Sequence, residues 1–348
     1  MSAQHLVYRI SISFLFAIIS LQINANQRNS SNSAEEKSTF TVIAHRGASG
    51  YLPEHTLDAA TLAFMQGANY IEQDIVLTAD NVPIVLHDIH IETVTNVESI
   101  FPQRHREDGR YYAIDFTWAE IQQLFIHERE DELGNKVYPG RYNGREAFKV
   151  ASFEQHIELI SELNSKFAKT VGYYAEIKAP EWHLSEGKDI TKIVVNILEK
   201  HGLTQPNANI FIQCFYPGTL KRLKTEFKLN ISLVQLIADN SWNESSADYD
   251  LMQTKQGLED VATYANGIGP WLPQIYNSGF INGTTLLDNA KALGLIIHPY
   301  TFRVDDLAFD MDVETLLDLI QKKLKVDGIF TDQADIVLEK THQVEVIK

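Results

Sequence analysis

The segment Ala44–Asp88, AHRGASGYLPEHTLDAATLAFMQGANYIEQDIVLTADNVPIVLHD, concentrates histidines, an arginine and closely spaced carboxylates in a short length of chain. Its pattern predicts a strand, a helix over 53–67 with Pro53 in the first turn, and two strands joined by a tight polar turn around Ala79–Asn81. A strand, a helix and a hairpin in this order bring the polar side chains close together. We therefore interpret the segment as a metal and acid–base centre around which the rest of the chain is organised.

Beyond this segment the chain alternates short apolar runs with amphipathic helices. When the returning arm of the hairpin is set aside, eight strands remain, and nearly all are followed by a helix. Buried parallel strands are continuous apolar runs, as these are, and eight such units predict a TIM (β/α)8 barrel. A doubly wound open sheet is the alternative, but the sequence has no glycine-rich nucleotide loop to support it. The predicted barrel strands cover residues 41–46, 71–77, 173–178, 209–215, 231–238, 267–270, 295–302 and 328–332.

Two polar segments interrupt this alternation. Residues from about 90 to 150 separate the hairpin from the next helix and are too many for an ordinary loop. They are predicted to form a small inserted subdomain, after the second barrel strand, that lies over one end of the barrel. The second segment, residues 239–257, is predicted to be a long polar loop.

The N-terminal residues are predicted to lie outside the fold. Residues 1–25 combine one early arginine, the apolar run ISISFLFAII and a small residue, Ala25, at the expected cleavage point. This pattern is typical of a signal peptide and predicts a periplasmic or secreted protein. An uncleaved membrane anchor is the alternative, although the run is short for a membrane span. Residues 26–39 are predicted to be a disordered leader, and residues 40–348 the barrel domain.

The composition narrows the functional classes. The chain has 348 residues, of which 44% are hydrophobic, which is enough for a full core. Its net charge of −16 disfavours binding to nucleic acid or to an anionic membrane. An anionic substrate would therefore need local positive charge from a metal ion, arginine or lysine. Cys214 is the only cysteine, which excludes an internal disulfide and a cysteine-based zinc site.

Polar residues recur where the predicted strands end. Charged side chains inside apolar strands are costly unless they are paired or bind a metal. Because the active site of a TIM barrel lies at the C-terminal ends of its strands, we expect one site there. The residues concerned are His45, Arg46, Glu72, Asp74, Glu176, Lys178, Gln213, His298, Tyr300 and Asp332.

Three of these carboxylates predict a metal site. Glu72 and Asp74 are two residues apart on a strand and share one face, and Glu176 and Lys178 repeat the spacing on a neighbouring strand. Oxygen ligands without cysteine favour a hard cation, so we expect Ca²⁺ or Mg²⁺. A salt-bridge network with Arg46 and Lys178 is the alternative explanation.

Two histidines are candidates for proton transfer. A turn near Asp80 is expected to pair Asp74 with about His87, and Asp88 could then orient that histidine. His45 arrives from the adjacent strand. Two histidines beside a metal suit a general base and a general acid in phosphoryl transfer.

Other aromatic residues have open interpretations. His55 could contact the site or be a surface histidine at the start of a helix. Three tryptophans could wall the pocket or cover the core: Trp182, Trp242 and Trp271. Three histidines are interpreted as ordinary surface or packing residues: His127, His156 and His201.

The ordered motifs resemble those of the glycerophosphodiester phosphodiesterases of the bacterial periplasmic type. The resemblance runs from about Thr41 to the C-terminus. It is carried by HRGASGYLPEHTL, EQDIVLT, VLHD, DGRYYAIDFT, YPGR, EIKAP, QCF, WNE, GIGP, HPYT and GIFTD. The first three mark the superfamily, whereas the motifs of the insertion, EIKAP and HPYT narrow the resemblance to this subgroup.

The resemblance implies a TIM barrel with an inserted domain that hydrolyses deacylated phospholipids such as glycerophosphocholine to sn-glycerol 3-phosphate and an alcohol. It also implies a cyclic phosphate intermediate, formed by a glycerol hydroxyl and opened by water. Carried over by position, it implies one divalent cation, usually calcium, on Glu72, Asp74 and Glu176, an acid–base pair of His45 and His87, and phosphate contacts from Arg46 and Lys178. Gln213 and Tyr300 are further candidates for substrate contact.

Two other functions are alternatives for the same barrel. A secreted protein of this kind could act mainly as a surface or host-interaction protein, for which the long insertion leaves room. A phosphodiesterase of lysophospholipids or sphingomyelin would share the histidines and carboxylates, but such enzymes usually have disulfides. We expect a small-molecule substrate, no nucleic acid and no stable membrane anchor. The oligomeric state is left open, with a homodimer as one option.

Overall fold

The structure is a computed structural model, and it describes residues 40–144, 147–276 and 283–346. The predicted signal peptide (1–25) and leader (26–39) lie outside the described residues. Within the described residues, no helix is both long and apolar enough to cross a membrane.

The described residues contain a single sheet of nine strands. The order β8-β7-β6-β5-β4-β2-β1-β9 is parallel throughout, and β3 pairs antiparallel with β2. The strands are β1 (Thr41–Ala44), β2 (Tyr70–Leu77), β3 (Pro83–Val85), β4 (Gly172–Ile177), β5 (Ile210–Cys214), β6 (Ser232–Ile237), β7 (Gly267–Pro270), β8 (Ile296–Ile297) and β9 (Gly328–Thr331).

The sheet closes into a barrel between the chain after β8 and strand β9. The backbone nitrogen of Phe302 donates to the oxygen of Phe330 at 2.8 Å, and Phe330 in turn donates to Pro299 at 3.1 Å. The prediction of a TIM (β/α)8 barrel is confirmed, and the open sheet is excluded. The predicted strand 295–302 is wrong in extent, because regular pairing ends at Ile297. Pro299 follows shortly and has no N–H to continue a ladder.

Helices follow the strands and cover the barrel. The helix Ile190–Lys200, for example, buries one face through Ile190, Val194 and Leu198, which recur at the helical spacing. The helices are α1 (Leu57–Gln66), α2 (Val97–Ile100), α3 (Trp118–Ile121), α4 (Phe153–Phe167), α5 (Pro180–Ser185), α6 (Ile190–Lys200), α7 (Pro217–Thr225), α8 (Tyr249–Met252), α9 (Lys255–Tyr264), α10 (Leu272–Ile275), α11 (Thr285–Ala292), α12 (Val313–Asp318, continued as a π-helix over Leu319–Leu324) and α13 (Ala334–Val346).

Helix α1 begins later than predicted. The side chain of Thr56 accepts a hydrogen bond from the backbone nitrogen of Ala59 at 3.0 Å and caps the helix. The prediction that Pro53 lies in the first helical turn is wrong. His55 has a left-handed backbone (φ 61°) and its nitrogen donates to the oxygen of Arg46 at 2.9 Å, so the loop before α1 is tied to the end of β1.

The predicted polar loop 239–257 contains more structure than expected. Helix α8 lies within it, capped by Asp248, and α9 begins at Lys255, capped by Thr254. Polar residues that looked like loop are therefore helix caps.

The β2–β3 hairpin is shifted by one residue from its predicted register. Ile75 lies opposite Val85, and the nitrogen of Leu86 donates to the oxygen of Asp74 at 2.9 Å. The predicted pairing of Asp74 with His87 is therefore wrong. A one-residue slip of this kind changes which face a side chain occupies, so His87 reaches the site from the chain just beyond β3.

The segment between β3 and α4 has a small hydrophobic cluster of its own. Its buried members include Val94, Val97, Phe116 and Ile121, which belong to the same cluster as Ile84 of β3. The backbone oxygen of Phe116 also accepts a hydrogen bond from the hairpin turn at 2.8 Å. The segment is therefore fixed to the outer arm of the hairpin.

Candidate active site

A cavity of about 240 Å³ opens at the C-terminal ends of the barrel strands. Nine residues were predicted to bind metal or substrate or to transfer protons. Eight of them line the cavity, and the ninth, Lys178, contacts one of the eight. The eight are His45, Arg46, Glu72, Asp74, His87, Glu176, Gln213 and Tyr300.

Three buried carboxylates form the floor of the site. Asp74 of β2 lies opposite Glu176 of β4 in the parallel register, and oxygens of Glu72, Asp74 and Glu176 lie within 4.8 Å of one another. Burial, followed by the charges of the other two carboxylates, raises the pKa of Glu72 well above its usual value. Burial also raises the pKa of Glu176 to about 8, although Lys178 opposes the shift. A cation between these groups would relieve their repulsion.

The donor atoms at this floor fit a hard divalent cation. The Asp74 Oδ1 and Gln213 Oε1 atoms are buried and have no hydrogen-bond partner among the described residues. Gln213 Nε2 donates to Glu72 Oε1 at 2.8 Å, which leaves its amide oxygen free to bind. An all-oxygen set of three carboxylates and an amide is the kind that Ca²⁺ and Mg²⁺ prefer.

The alternative salt-bridge network is present only in part. Lys178 Nζ lies 2.9 Å from Glu176 Oε1, but Arg46 Nη1 is engaged by Glu54 at 2.9 Å, away from the floor. Arg46 Nε lies 3.7 Å from Asp74, too far for a hydrogen bond, and has no hydrogen-bond partner in the part of the chain that the structure describes. The carboxylates therefore exceed the cations that neutralise them, and Arg46 retains a free donor.

His45 is held by the strand next to its own. Its Nδ1 lies 2.6 Å from Asp332 Oδ1, just after β9, which pairs with β1. Burial alone would raise the pKa of Asp332, but Arg303, His45 and Arg141 outweigh it and keep the pKa well below the usual range. Because Asp332 is an anion, it accepts the proton on Nδ1, and Nε2 carries a lone pair. Burial, and then the charge of Arg46, lowers the pKa of His45 and favours this neutral form.

His87 has the same arrangement on the opposite side. Its Nδ1 lies 2.6 Å from Asp88 Oδ1, and its Nε2 lies 3.4 Å from Lys178 Nζ. Its side chain is 25% exposed, against 9% for His45. Burial, followed by the charges of Arg46 and Lys178, lowers the pKa of His87. The expected orienting role of Asp88 agrees with this geometry.

Arg46 is placed by an unusual backbone. It has a left-handed φ of 57°, and its nitrogen donates to Glu72 Oε2 at 2.9 Å. The next residue, Gly47, has a φ of 80°, and a Cβ there would lie 2.9 Å from the backbone of Ala59. Only glycine allows the turn to pass this close to α1. The turn brings the Arg46 side chain over the carboxylates.

The barrel matches a known protein family over nearly all of its length. The sequence model of the glycerophosphoryl diester phosphodiesterase family matches residues 45–336. A glycerophosphodiester phosphodiesterase from Haemophilus influenzae is 37% identical to this chain, over 95% of the chain and 97% of the relative. The chain belongs to the glycerophosphoryl diester phosphodiesterase family.

Other proteins are similar to this chain in sequence or in fold. A glycerophosphodiester phosphodiesterase from Treponema pallidum is 31% identical, over 85% of this chain and 90% of the relative. Among solved structures, a glycerophosphoryl diester phosphodiesterase from Silicibacter pomeroyi has a TM-score of 0.68 at 19% identity and covers 89% of this chain and 95% of its own. An Oleispira antarctica phosphodiesterase in complex with sn-glycerol-3-phosphate has a TM-score of 0.60 at 20% identity. The match covers 87% of this chain and 96% of that protein's chain. These structures share the barrel.

His55, left open by the sequence, contacts the site of this family member. It is fully buried, and its Nε2 lies 2.8 Å from Asp74 Oδ2. His156 supports it from below, with Nε2 3.0 Å from the backbone oxygen of His55. Hydrogen bonds from neighbouring residues also orient the carboxylates of metal sites. The interpretation of His156 as a packing residue agrees with its burial, and its contact holds the backbone of His55.

Two of the three tryptophans wall the cavity. Trp242 and Trp271 pack edge to face with ring centroids 5.0 Å apart, and both line the cavity. Trp182 instead stacks on Tyr112 of the insertion. Tyr300 is fixed by the hydrogen bond that its hydroxyl donates to Ile237 at 2.8 Å.

One strand-end residue does not reach the site. His298 points into the barrel interior, where its Nδ1 lies 3.0 Å from the hydroxyl of Tyr174. Burial lowers its pKa to about 3. It is a neutral core residue.

Sequence reasoning missed several contacts around the site. Asp332 was expected at the site but was given no partner there, and Glu54 and the arginines of the insertion were given no role. Arg129 lies in a charged run, HEREDELG, and such runs ordinarily indicate an exposed surface. Arg141 belongs to the YPGR motif, which supported only the resemblance. No signal in the chain linked these residues to the histidines.

Proposed function

We propose that this protein hydrolyses glycerophosphodiesters to sn-glycerol 3-phosphate and an alcohol, with one divalent cation and with His45 and His87 as its acid–base pair. The observation that carries the proposal is the set of three converging carboxylates flanked by two histidines, each held at Nδ1 by an aspartate. The names of the relatives and the product in the Oleispira antarctica structure support this substrate class.

The cation would be held by Glu72, Asp74 and Glu176; these oxygen donors suit Ca²⁺ or Mg²⁺, and the resemblance to the family favours Ca²⁺. When bound, it would offset the charge of the phosphoryl oxygens. Arg46 and Lys178 would hold further phosphate oxygens, Arg46 through its free Nε. Gln213 would orient Glu72, and Tyr300, with the two tryptophans, would border the carbon skeleton of the substrate.

The two histidines divide the proton transfers. His45 is buried and neutral, with a lone pair on Nε2, so it would take the proton from the glycerol hydroxyl that attacks phosphorus. His87 lies nearer to solvent and, in its protonated form, would donate its Nε2 proton to the oxygen of the leaving alcohol. The products of this step are the alcohol and a cyclic glycerol phosphate. Water would open the ring in the second step, with the histidines in reversed roles.

Activity measurements test the proposal. Protein beginning at Asn26 is stripped with EDTA and given glycerophosphocholine with no metal, Ca²⁺ or Mg²⁺, and release of sn-glycerol 3-phosphate is followed. We expect no release without metal and the fastest release with Ca²⁺. Sphingomyelin and lysophosphatidylcholine are assayed in parallel, and we expect neither to be cleaved. Absence of glycerol 3-phosphate under every metal condition would refute the proposal.

We further propose a periplasmic or secreted location, as in the bacterial periplasmic type. The N-terminal run ISISFLFAII ahead of Ala25 supports it. N-terminal sequencing of the protein expressed at full length tests this location, and we expect the mature chain to start near Asn26. A mature chain that starts at Met1 would contradict it.

A further inference from the structure

Two arginines of the segment 90–150 reach the active site. Arg129 contacts Asp88 Oδ2 through Nη1, and Arg141 contacts Asp332 Oδ2 through Nη2 at 2.6 Å. Their side chains are only 15% and 5% exposed. A buried arginine is costly unless carboxylates satisfy it, so these contacts define where the side chains lie.

The two arginines complete two matching chains of contacts. In each, one oxygen of an aspartate holds Nδ1 of a histidine at 2.6 Å, and the other oxygen accepts a hydrogen bond from an arginine. An aspartate that is bound through only one oxygen can rotate about its side-chain bonds. A second contact from a planar guanidinium removes that freedom and so fixes the plane of the imidazole.

The two chains of contacts differ in how many arginines hold the aspartate. Asp332 also accepts a hydrogen bond from Arg303 of the barrel at 3.0 Å. Asp88, among the described residues, has Arg129 as its single cationic partner besides His87. Loss of Arg129 therefore has the larger consequence for its histidine.

Arg129 also serves a second carboxylate. Its Nε and Nη2 donate to the two oxygens of Glu54, with Nε at 3.0 Å from Oε2. The same Oε2 accepts from Arg46 Nη1 at 2.9 Å. One guanidinium thus joins the aspartate that orients His87 to the glutamate that orients Arg46.

We propose that Arg129 is a positioning residue that fixes His87 through Asp88 and Arg46 through Glu54, so that the inserted segment completes the active site. The inference rests on the proposed function, because it concerns the two residues assigned to leaving-group protonation and phosphate binding. On this inference the insertion is part of the active site, and Arg129 of its charged run HEREDELG orients two residues of the reaction.

A purely structural role is the alternative, in which Arg129 only attaches the insertion to the barrel. Arg106 provides the matched control for that role. It too belongs to the insertion, and it forms hydrogen bonds of 2.9 and 3.0 Å to Glu186 in the turn that follows α5. It contacts none of the residues assigned to the reaction. Arg106→Gln therefore removes an insertion-to-barrel ion pair without disturbing either histidine.

The experiment compares steady-state kinetics and thermal unfolding of Arg129→Gln and Arg106→Gln. We expect Arg129→Gln to lower kcat by about 10–100-fold, the range seen when an orienting partner is lost. Arg106→Gln should keep kcat within about twofold of the unmodified protein while lowering Tm. Arg129→Lys, which keeps the charge but not the planar fork, should give an intermediate kcat and remains informative if Arg129→Gln does not fold.

A double-mutant cycle separates positioning from attachment. If Arg129 acts through Asp88, Arg129→Gln should cost much less in an Asp88→Asn background than in the unmodified protein. Effects on kcat that multiply in both an Asp88→Asn and a Glu54→Gln background would overturn the inference. A folded Arg129→Gln protein that turns over like Arg106→Gln would also overturn it.

Nuclear magnetic resonance of the His87 imidazole gives a readout that does not need activity. The Nδ1 proton should resonate far downfield in the unmodified protein and lose this position in Arg129→Gln, but keep it in Arg106→Gln. An inactive unmodified protein refutes the proposed function alone, because this signal still tests the inference. An unchanged signal in Arg129→Gln refutes the inference alone.

Discussion

The two histidine–aspartate pairs have the same geometry but are built in different ways. His45 and Asp332 are 287 positions apart, and the pairing of β1 with β9 brings them together inside the barrel. His87 and Asp88 are neighbours in sequence, at the edge of the hairpin, and an arginine of the insertion anchors them. The barrel therefore supplies one pair through its topology, whereas the other depends on an added segment. A histidine held by an aspartate can therefore arise from long-range strand pairing, or from two neighbouring residues that an arginine of another segment holds in place.

Removal of either histidine tests whether both pairs are catalytic. We expect His45→Ala and His87→Ala each to lower kcat by on the order of 10²-fold or more, because each removes a proton-transfer group. Initial-rate measurements with glycerophosphocholine check this. His201→Ala is the control, since that histidine pairs with Glu154 on an outer helix and should leave kcat unchanged. Near-normal turnover in either active-site variant would exclude its assigned role.

Substitution of the two aspartates distinguishes the buried pair from the peripheral one. Asp332 is 1% exposed and compensates buried arginines, so Asp332→Asn should lower the free energy of unfolding by about 3–5 kcal/mol. The side chain of Asp88 is 30% exposed, and Asp88→Asn should cost less stability. Urea denaturation measures both values. Equal losses would show that the two pairs do not differ in burial as described.

The carboxylates between the two pairs offer a test based on pH. Burial raises the pKa of Glu176 from 4.5 to about 8, against the opposing charge of Lys178. The folded, metal-free state therefore holds a proton between these pH values that the unfolded chain releases, and this group's contribution to stability falls as pH rises through that window. A bound cation replaces the proton, so Ca²⁺ should raise Tm more at pH 8 than at about pH 5.5.

Scanning calorimetry with and without Ca²⁺ at the two pH values checks this expectation. Glu154→Gln is the control, because Glu154 belongs to an outer group of Glu154, Glu158 and His201 that could also attract a cation. This variant should retain the full pH-dependent effect, whereas Glu176→Gln should lose it. The same Ca²⁺-induced shift in Tm at both pH values would contradict the assignment.

The smallest effect is expected at the wall of the cavity. Tyr300→Phe removes the hydrogen bond from the hydroxyl to the backbone oxygen of Ile237 and should lower the free energy of unfolding by about 1 kcal/mol. Both histidine pairs should keep their function, so kcat should change far less than in His45→Ala or His87→Ala. Urea denaturation and steady-state kinetics on one preparation give both numbers. A loss of kcat as large as that in His87→Ala would assign Tyr300 a direct part in the reaction.

Most features that follow from the periodicity of strands and helices were predicted correctly from the sequence. Glu72 and Asp74 share a face because strand side chains alternate, and Glu176 joins them because parallel neighbours keep their register. The barrel itself followed from repeated strand–helix units. His45 and Arg46 were placed correctly at a strand end for the same reason.

What sequence reasoning missed depends on single-residue geometry or on distant contacts. The hairpin register was wrong by one residue, since turn length alone did not determine whether Leu86 or His87 faces Asp74. The burial of Arg129 could not be predicted, because a charged run gives no sign of which arginine turns inward. The role of His55 stayed open because its left-handed backbone, which separates it from α1, has no clear signature in PEHT.

The adjacency of β1 and β9 has a consequence for the growing chain. β1 is synthesised before the other described strands and β9 after them, so the carboxylate that holds His45 is among the last parts of the barrel to emerge. A chain that has not yet reached β9 contains the hairpin and the carboxylates of Glu72, Asp74 and Glu176, but it has no partner for His45 Nδ1. On the proposed function, such a chain would lack the group that orients its base.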